Sequence, residues 1–278
     1  MIRDHDQTLP LVYSDPRKTG TAILFVHGIS HNRAVWEKLA CELPEDFRPI
    51  SIDLRGHGES PWSIEADYDL RNYASDLPVL LDELKIDRAY VVAHSLGGNV
   101  STLFAAAHAE RILGLVLVDT GPALDSGGTV HVADEIASAL RSYASVAEFR
   151  EQLSLIHPNG DSDILDRLAL SSVVARMDGR FELALDPGVL GSAVESTDLV
   201  ALEGALWSAL AQVSCPVLVV RGGVSAILSE KVAQEMVDEV LVDGRLITLA
   251  DAGHAVMIDD GPGLAAAIRD FVPATSRA

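Results

Sequence analysis

Six short runs constrain this chain more than any other feature: TAILFVHG (21–28), FRPISIDL (47–54), AYVVAHS (89–95), ILGLVLVD (112–119), CPVLVVRG (215–222) and RLITLAD (245–251). Each is β-branched or apolar and nearly continuous. That pattern belongs to strands covered on both faces, as in a parallel sheet. Helical patterns lie between them at 33–43, 71–85, 97–110 and 229–239, and a last one at 261–272 closes the chain. Pro78 falls inside the second and predicts a kink or a split there. Strand and helix in alternation imply an α/β fold with a doubly wound, mostly parallel sheet.

The alternation breaks between about 121 and 206. Helix-like segments occur at 131–153, 161–177 and 197–211, with turn punctuation at Ser126-Gly127-Gly128, Pro158-Asn159-Gly160 and Asp186-Pro187-Gly188. No convincing strand appears. The reading is an all-helical cap, a lid over 122–205, inserted into a core made of 1–121 and 206–278. Its Leu, Val and Ala content predicts a mainly apolar pocket. Trp62, Tyr143, Phe149, Phe181 and Trp207 are candidates to line that pocket or simply to pack.

Composition excludes several classes. Of 278 residues, 48% are hydrophobic, too many for disorder. No apolar run reaches about 18 residues, so no membrane span is expected. The opening MIRDHDQTLP lacks the basic start and apolar stretch of a secretory signal. Cys41 and Cys215 are far apart and read as thiols in a reducing compartment. These features predict a cytoplasmic protein, monomeric or homodimeric. A formal net charge of −20 argues against nucleic acid and against an anionic membrane surface as partners.

The chemistry concentrates in Ala93-His94-Ser95-Leu96-Gly97-Gly98. A serine stands between an apolar strand and a helix, with small residues two before and two after. Such a turn must be tight to expose the hydroxyl, and small flanking residues let strand and helix approach. The chain thus resembles the α/β-hydrolase superfamily along nearly its whole length. His27-Gly28, Asp53-Leu54-Arg55-Gly56-His57-Gly58-Glu59-Ser60, Leu117-Val118-Asp119-Thr120-Gly121-Pro122, Arg221-Gly222-Gly223 and Ala252-Gly253-His254 follow the order of that superfamily. The resemblance implies Ser95 as nucleophile and His254 as its base. It implies an oxyanion hole from the backbone N–H groups of Leu96 and Ile29. His27 and His57 read as structural, Asp53 and Arg55 as ties within their own loop, and His94 as facing away from the nucleophile.

The acid that orients the histidine is missing from its usual place. Relatives typically read Arg-Gly-Gly-x-Ser-Asp-x-Leu-Ser after the strand following the lid. This chain reads Arg221-Gly222-Gly223-Val224-Ser225-Ala226-Ile227-Leu228-Ser229. Three readings stay open: the acid is Asp119, position 226 carries an introduced substitution, or hydrolytic activity is weakened or lost. The expected activity is cleavage of a small-molecule carboxylic ester or lactone through an acyl-enzyme, with no cofactor and no metal. The rivals are carbon–carbon bond hydrolysis, cofactor-free oxygenation or perhydrolysis on the same scaffold, and a ligand-binding protein that keeps the pocket.

Overall fold

The computed structural model describes residues 10–124, 126–195 and 199–275. Seven strands form one sheet: β1 (Tyr13–Ser14), β2 (Thr21–Val26), β3 (Phe47–Ile52), β4 (Ala89–His94), β5 (Ile112–Val118), β9 (Val217–Gly222) and β10 (Gly244–Leu249), in the order β1-β3-β2-β4-β5-β9-β10. All neighbours pair in parallel except β1, which runs antiparallel to β3. The six long strands are those read from the sequence. In the inner strands Ile23, Phe25, Val91, Val92, Val116 and Val219 are fully buried, because helices cover both faces, while the edge strand β10 leaves Ile247 exposed. Those helices are α1 (Glu37–Glu42), α2 (Leu70–Glu83), α3 (Leu96–Ala107), α9 (Glu230–Glu235) and α11 (Gly261–Thr275), with the short α10 (Val256–Asp259) before the last.

The strand order places the functional region. From β2 the chain steps outward to β3, and from β3 it crosses back over β2 to β4. The carboxyl ends of β2 and β4 therefore flank the point where the winding reverses. A crevice opens there in doubly wound sheets because successive loops diverge. Ile29 follows β2 and Ser95 follows β4.

The segment between β5 and β9 contains α4 (Ser126–Ala139), α5 (Val146–Ile156), α6 (Ser162–Ser171), α7 (Pro187–Glu195) and α8 (Leu199–Leu210). Three expectations are corrected here. The segment is not all-helical: β6 (Ser142–Tyr143), β7 (Val173–Ala175) and β8 (Phe181–Leu183) form a small antiparallel sheet in the order β6-β8-β7. Strands of two or three residues are too short to display an alternation along the sequence. Ser126-Gly127-Gly128 is not a turn but the start of α4. Residues 197 and 198 of the expected helix 197–211 lie outside the described residues. Pro78 neither ends nor splits α2, which runs as one element from Leu70 to Glu83. Tyr73 and Leu77 before the proline, and Leu80 and Leu81 after it, are all buried. Packing holds both halves in one helix although one intrahelical bond is lost. Among the described residues, no helix is long and apolar enough to cross a membrane.

Candidate active site

Ser95 occupies the turn between β4 and α3 with φ 51° and ψ −121°. L-residues avoid a positive φ, and the strain is of order 1–3 kcal/mol where the surroundings impose it. What imposes it is close packing. A Cβ on Gly97 would lie 2.5 Å from the carbonyl oxygen of His27, so the first turn of α3 sits directly on the end of β2. On the other side, a Cβ on Gly28 would lie 2.6 Å from His94 Nδ1 and 2.9 Å from Ser95 Cβ. The backbone leading to Ile29 is thereby pressed against the elbow. Among the described residues, neither the Leu96 nor the Ile29 N–H has an acceptor. Leu96 also opens α3, where backbone N–H groups carry partial positive charge.

His254 lies in the loop between β10 and α10, 8% exposed at its side chain. Its Nδ1 is 2.8 Å from Asp119 Oδ2. A carboxylate only accepts, so Nδ1 carries the proton and Nε2 presents a lone pair. Asp119 is fully buried at the end of β5 and itself has a positive φ of 45°. Its Oδ1 accepts the Gly222 N–H at 2.9 Å, and the Ser225 hydroxyl donates to Oδ2. The loop carrying Ala226 thus supplies donors to Asp119, and Ala226 itself lines the cavity beside His254. The structure joins His254 to Asp119 directly. No direct hydrogen bond joins Ser95 to His254 among the described residues; such contacts in unliganded sites commonly tighten only when substrate binds.

His94 does not face away. Its ring packs 4.5 Å, centroid to centroid, from that of His254, and its Nε2 donates to the His254 carbonyl at 3.0 Å. His131 of α4 stands edge-on to His254 at 5.5 Å. Burial pushes His94 well below the ordinary histidine range and lowers His131, so both neighbours favour the neutral form. From the inserted segment, His157 Nδ1 lies 3.2 Å from Asp259 Oδ1, while Asp259 Oδ2 accepts the Gly253 N–H at 2.8 Å. This ties the His254 loop to the segment above it.

The loop histidines are buried, whereas the loop charges reach beyond their own loop, a correction to the ties expected within it. His27 Nε2 accepts the Leu54 N–H at 3.0 Å, and burial lowers its pKa to about 4. Burial likewise lowers His57 to about 3. Asp53 accepts the N–H groups of Arg33 and Glu59, at 2.7 and 3.0 Å. Arg55 reaches beyond its loop to Asp76 of α2 in a buried pair with contacts of 2.6 and 2.7 Å.

Two cavities of about 450 Å³ each open at the site. Ser95 lines one, with Leu124, Val132, Ile136, Leu206 and Ile227. His254 lines the other, with His31, His131, Glu135, Gln152 and His157. Both cavities are lined mainly by apolar surface, as expected, and the His254 side adds a group of titratable side chains to it. Of the five aromatic candidates, Tyr143 and Phe149 line the His254 cavity, while Trp62 is exposed on the surface. His31, His131, Glu135 and His157 escape sequence reading because no motif spacing connects them; the first comes from the loop after β2 and the others from the inserted segment. Among the described residues, no group of three or more His, Cys, Asp or Glu side chains is placed to hold a metal.

The model of the family described as alpha/beta hydrolase fold matches residues 21–261, the whole span from β2 to the start of α11. This chain belongs to the α/β-hydrolase family. Among its relatives, it is 30% identical over 211 residues to 2-(acetamidomethylene)succinate hydrolase of Mesorhizobium japonicum, covering 76% of this chain and 73% of that protein. It is 27% identical over 257 residues to pimeloyl-[acyl-carrier protein] methyl ester esterase of Neisseria meningitidis, covering 90% and 93%. An α/β hydrolase of Novosphingobium aromaticivorans superimposes with a TM-score of 0.78 at 28% identity, covering 95% of this chain and 94% of that one. The elbow, the loop after β2 and the late histidine thus sit in a hydrolase fold shared with proteins named as hydrolase and esterase.

Proposed function

We propose that this α/β hydrolase is a serine hydrolase of carboxylic esters or lactones. The observation that carries the reading is the 2.8 Å bond from His254 Nδ1–H to Asp119 Oδ2, which aims a lone pair at Nε2. His254 takes the proton of Ser95 Oγ, and the alkoxide attacks the carbonyl carbon. The N–H groups of Leu96 and Ile29 hold the resulting oxyanion. His254 returns the proton to the leaving oxygen as the acyl–oxygen bond breaks. Water, deprotonated by the same histidine, then releases the acid and restores Ser95. Asp119 holds the imidazole and stabilises its protonated form throughout; Ala226 has no part. Residues 122–205 act as the cap over a core of 1–121 and 206–278, and the bond between His157 and Asp259 supports that closure.

Relatives named as esterases and lipase support ester cleavage. The succinate derivative in the name of the Mesorhizobium relative is a dicarboxylate, and it does not carry over. No Lys or Arg is among the residues lining either cavity. A fluorophosphonate probe tests the proposal: Ser95 should be labelled, and Ser95→Ala should abolish both labelling and turnover across a panel of esters and lactones. Absence of labelling in the folded protein overturns it.

A further inference from the structure

Helix α4 divides the space above the site. Thr129, Val132, Ala133 and Ile136 turn toward the Ser95 cavity; His131, Asp134, Glu135 and Ser138 turn toward the His254 cavity. These sets alternate at the spacing of three and four that separates two faces of one helix. On the serine-hydrolase reading above, on which this inference rests, the two cavities have distinct duties. The acyl carbon bonds to Ser95 Oγ, so the acyl chain extends on the serine side. The leaving oxygen takes its proton from His254, so the alcohol lies on the histidine side.

The serine-side cavity is lined mainly by aliphatic side chains. The histidine-side cavity combines the carboxylates of Asp134 and Glu135 with the rings of Tyr143 and Phe149, whose centroids are 4.9 Å apart. No Lys or Arg lines it. Its third carboxylate, Asp259, is already engaged by Gly253 and His157. Glu135 makes no hydrogen bond among the described residues, and burial raises its carboxyl to about 7. This half-buried carboxyl faces the cavity without a partner, and a cation supplies one. Aromatic faces attract cations, as Arg141 lying 5.9 Å from the centre of the Tyr143 ring illustrates. The net charge of −20 draws cations and repels anions.

We infer that the substrates are esters of an apolar acid with an ammonium-bearing alcohol, the acyl chain lying on the Ser95 side of α4 and the alcohol's cationic head against Glu135, Asp134, Tyr143 and Phe149 on the other. Glu135 is then a specificity-determining residue. The balance is that of ordinary ester hydrolysis: water adds, the acyl–oxygen bond breaks, and acid and alcohol leave.

Three hexanoate esters test this: of choline, of its neutral isostere 3,3-dimethylbutanol, and of a hydroxy acid of matched length. We expect kcat/KM to favour the choline ester over the neutral one by about tenfold, with the carboxylate ester about tenfold below the neutral one. In Glu135→Gln the ratio of choline to neutral ester should fall to within about threefold of unity. A neutral or anionic ester hydrolysed as well as the choline ester overturns the inference, and so does a preference that survives Glu135→Gln. If the folded protein hydrolyses none of the three, the esterase reading fails by itself. The cationic chamber is then decided by calorimetry on Ser95→Ala: saturable binding of choline but not of 3,3-dimethylbutanol upholds it, and equal or absent binding overturns it. That measurement also decides the matter should Glu135→Gln not fold.

Discussion

His254 Nδ1 and Asp119 Oδ2 stand 2.8 Å apart although 135 residues of chain separate them. The carboxylate meets the histidine already fixed by two other donors, the N–H of Gly222 and the hydroxyl of Ser225. An orienting group works only if it does not itself turn, and one held at both oxygens has little freedom to do so.

Asp119→Asn should therefore lower kcat on an activated ester by a factor on the order of 10⁴, as loss of the correct tautomer does in other triads. Ala226→Asp alone should leave kcat within about an order of magnitude, because the imidazole already has its acceptor. Steady-state kinetics on the two variants checks both. A rise of several orders of magnitude in Ala226→Asp would return the acid to position 226.

We expect His94 to act through His254 as a positioning residue, because its ring packs against that of His254 and it donates to the His254 carbonyl. His94→Ala removes both. We expect kcat to fall by about 10- to 100-fold with KM nearly constant. A variant that changed only thermal stability would contradict this; kcat, KM and melting temperature measured together separate the outcomes.

Gly28→Ala should injure the oxyanion hole without touching a reactive side chain. The added Cβ has two ring atoms of His94 and the Cβ of Ser95 at 2.6–3.0 Å, and neither the buried His94 nor the elbow can retreat. Overpacking should cost about 1–3 kcal/mol of stability. Displacing the Ile29 amide should lower kcat by about 10²- to 10³-fold. Urea unfolding and turnover measure the two effects separately.

Acid should unfold this protein early. A histidine in the unfolded chain takes up a proton near pH 6.5, whereas folded His27 does so only at about 4 and folded His57 at about 3. Between those limits the unfolded state binds more protons, so stability falls as pH falls from 6.5, by about 1.4 kcal/mol per pH unit for each such histidine. The His27 contribution levels off below about 4. Urea midpoints at pH 7.5, 6.0 and 5.0 should decline in that order. His57→Gln should flatten the decline by one histidine's share; an unchanged slope would show that His57 is protonated in the native state.

Much of this was legible beforehand because parallel strands buried on both faces announce themselves. Runs such as ILFV and VLVV have no polar interruption, and the structure places strands at Thr21–Val26 and Val217–Gly222 where they lie. The elbow was legible for a related reason: the contacts that would clash with any larger side chain at Gly28 and Gly97 fix residue types at fixed offsets. The cavities were not. His131 and Glu135 are four residues apart in a helix whose sequence carries no chemical signature, and His157 reaches the site only because Asp259 draws it there. The contact of His94 with His254 is not legible in the sequence, because a strand's alternation says which face a residue takes, not what a distant loop brings to that face. Tyr143 of β6 shows the same limit: a strand of two residues leaves no periodic trace.

On the proposed role of Asp119 at the end of β5, the loop after β9 has no duty in proton transfer. Ala226 becomes a wall of the chamber. On that reading a side chain at position 226 is not held to a carboxylate, and exchanging it would alter the shape of the cavity beside His254. Moving one carboxyl to the neighbouring strand gives this scaffold an adjustable surface within reach of its own base.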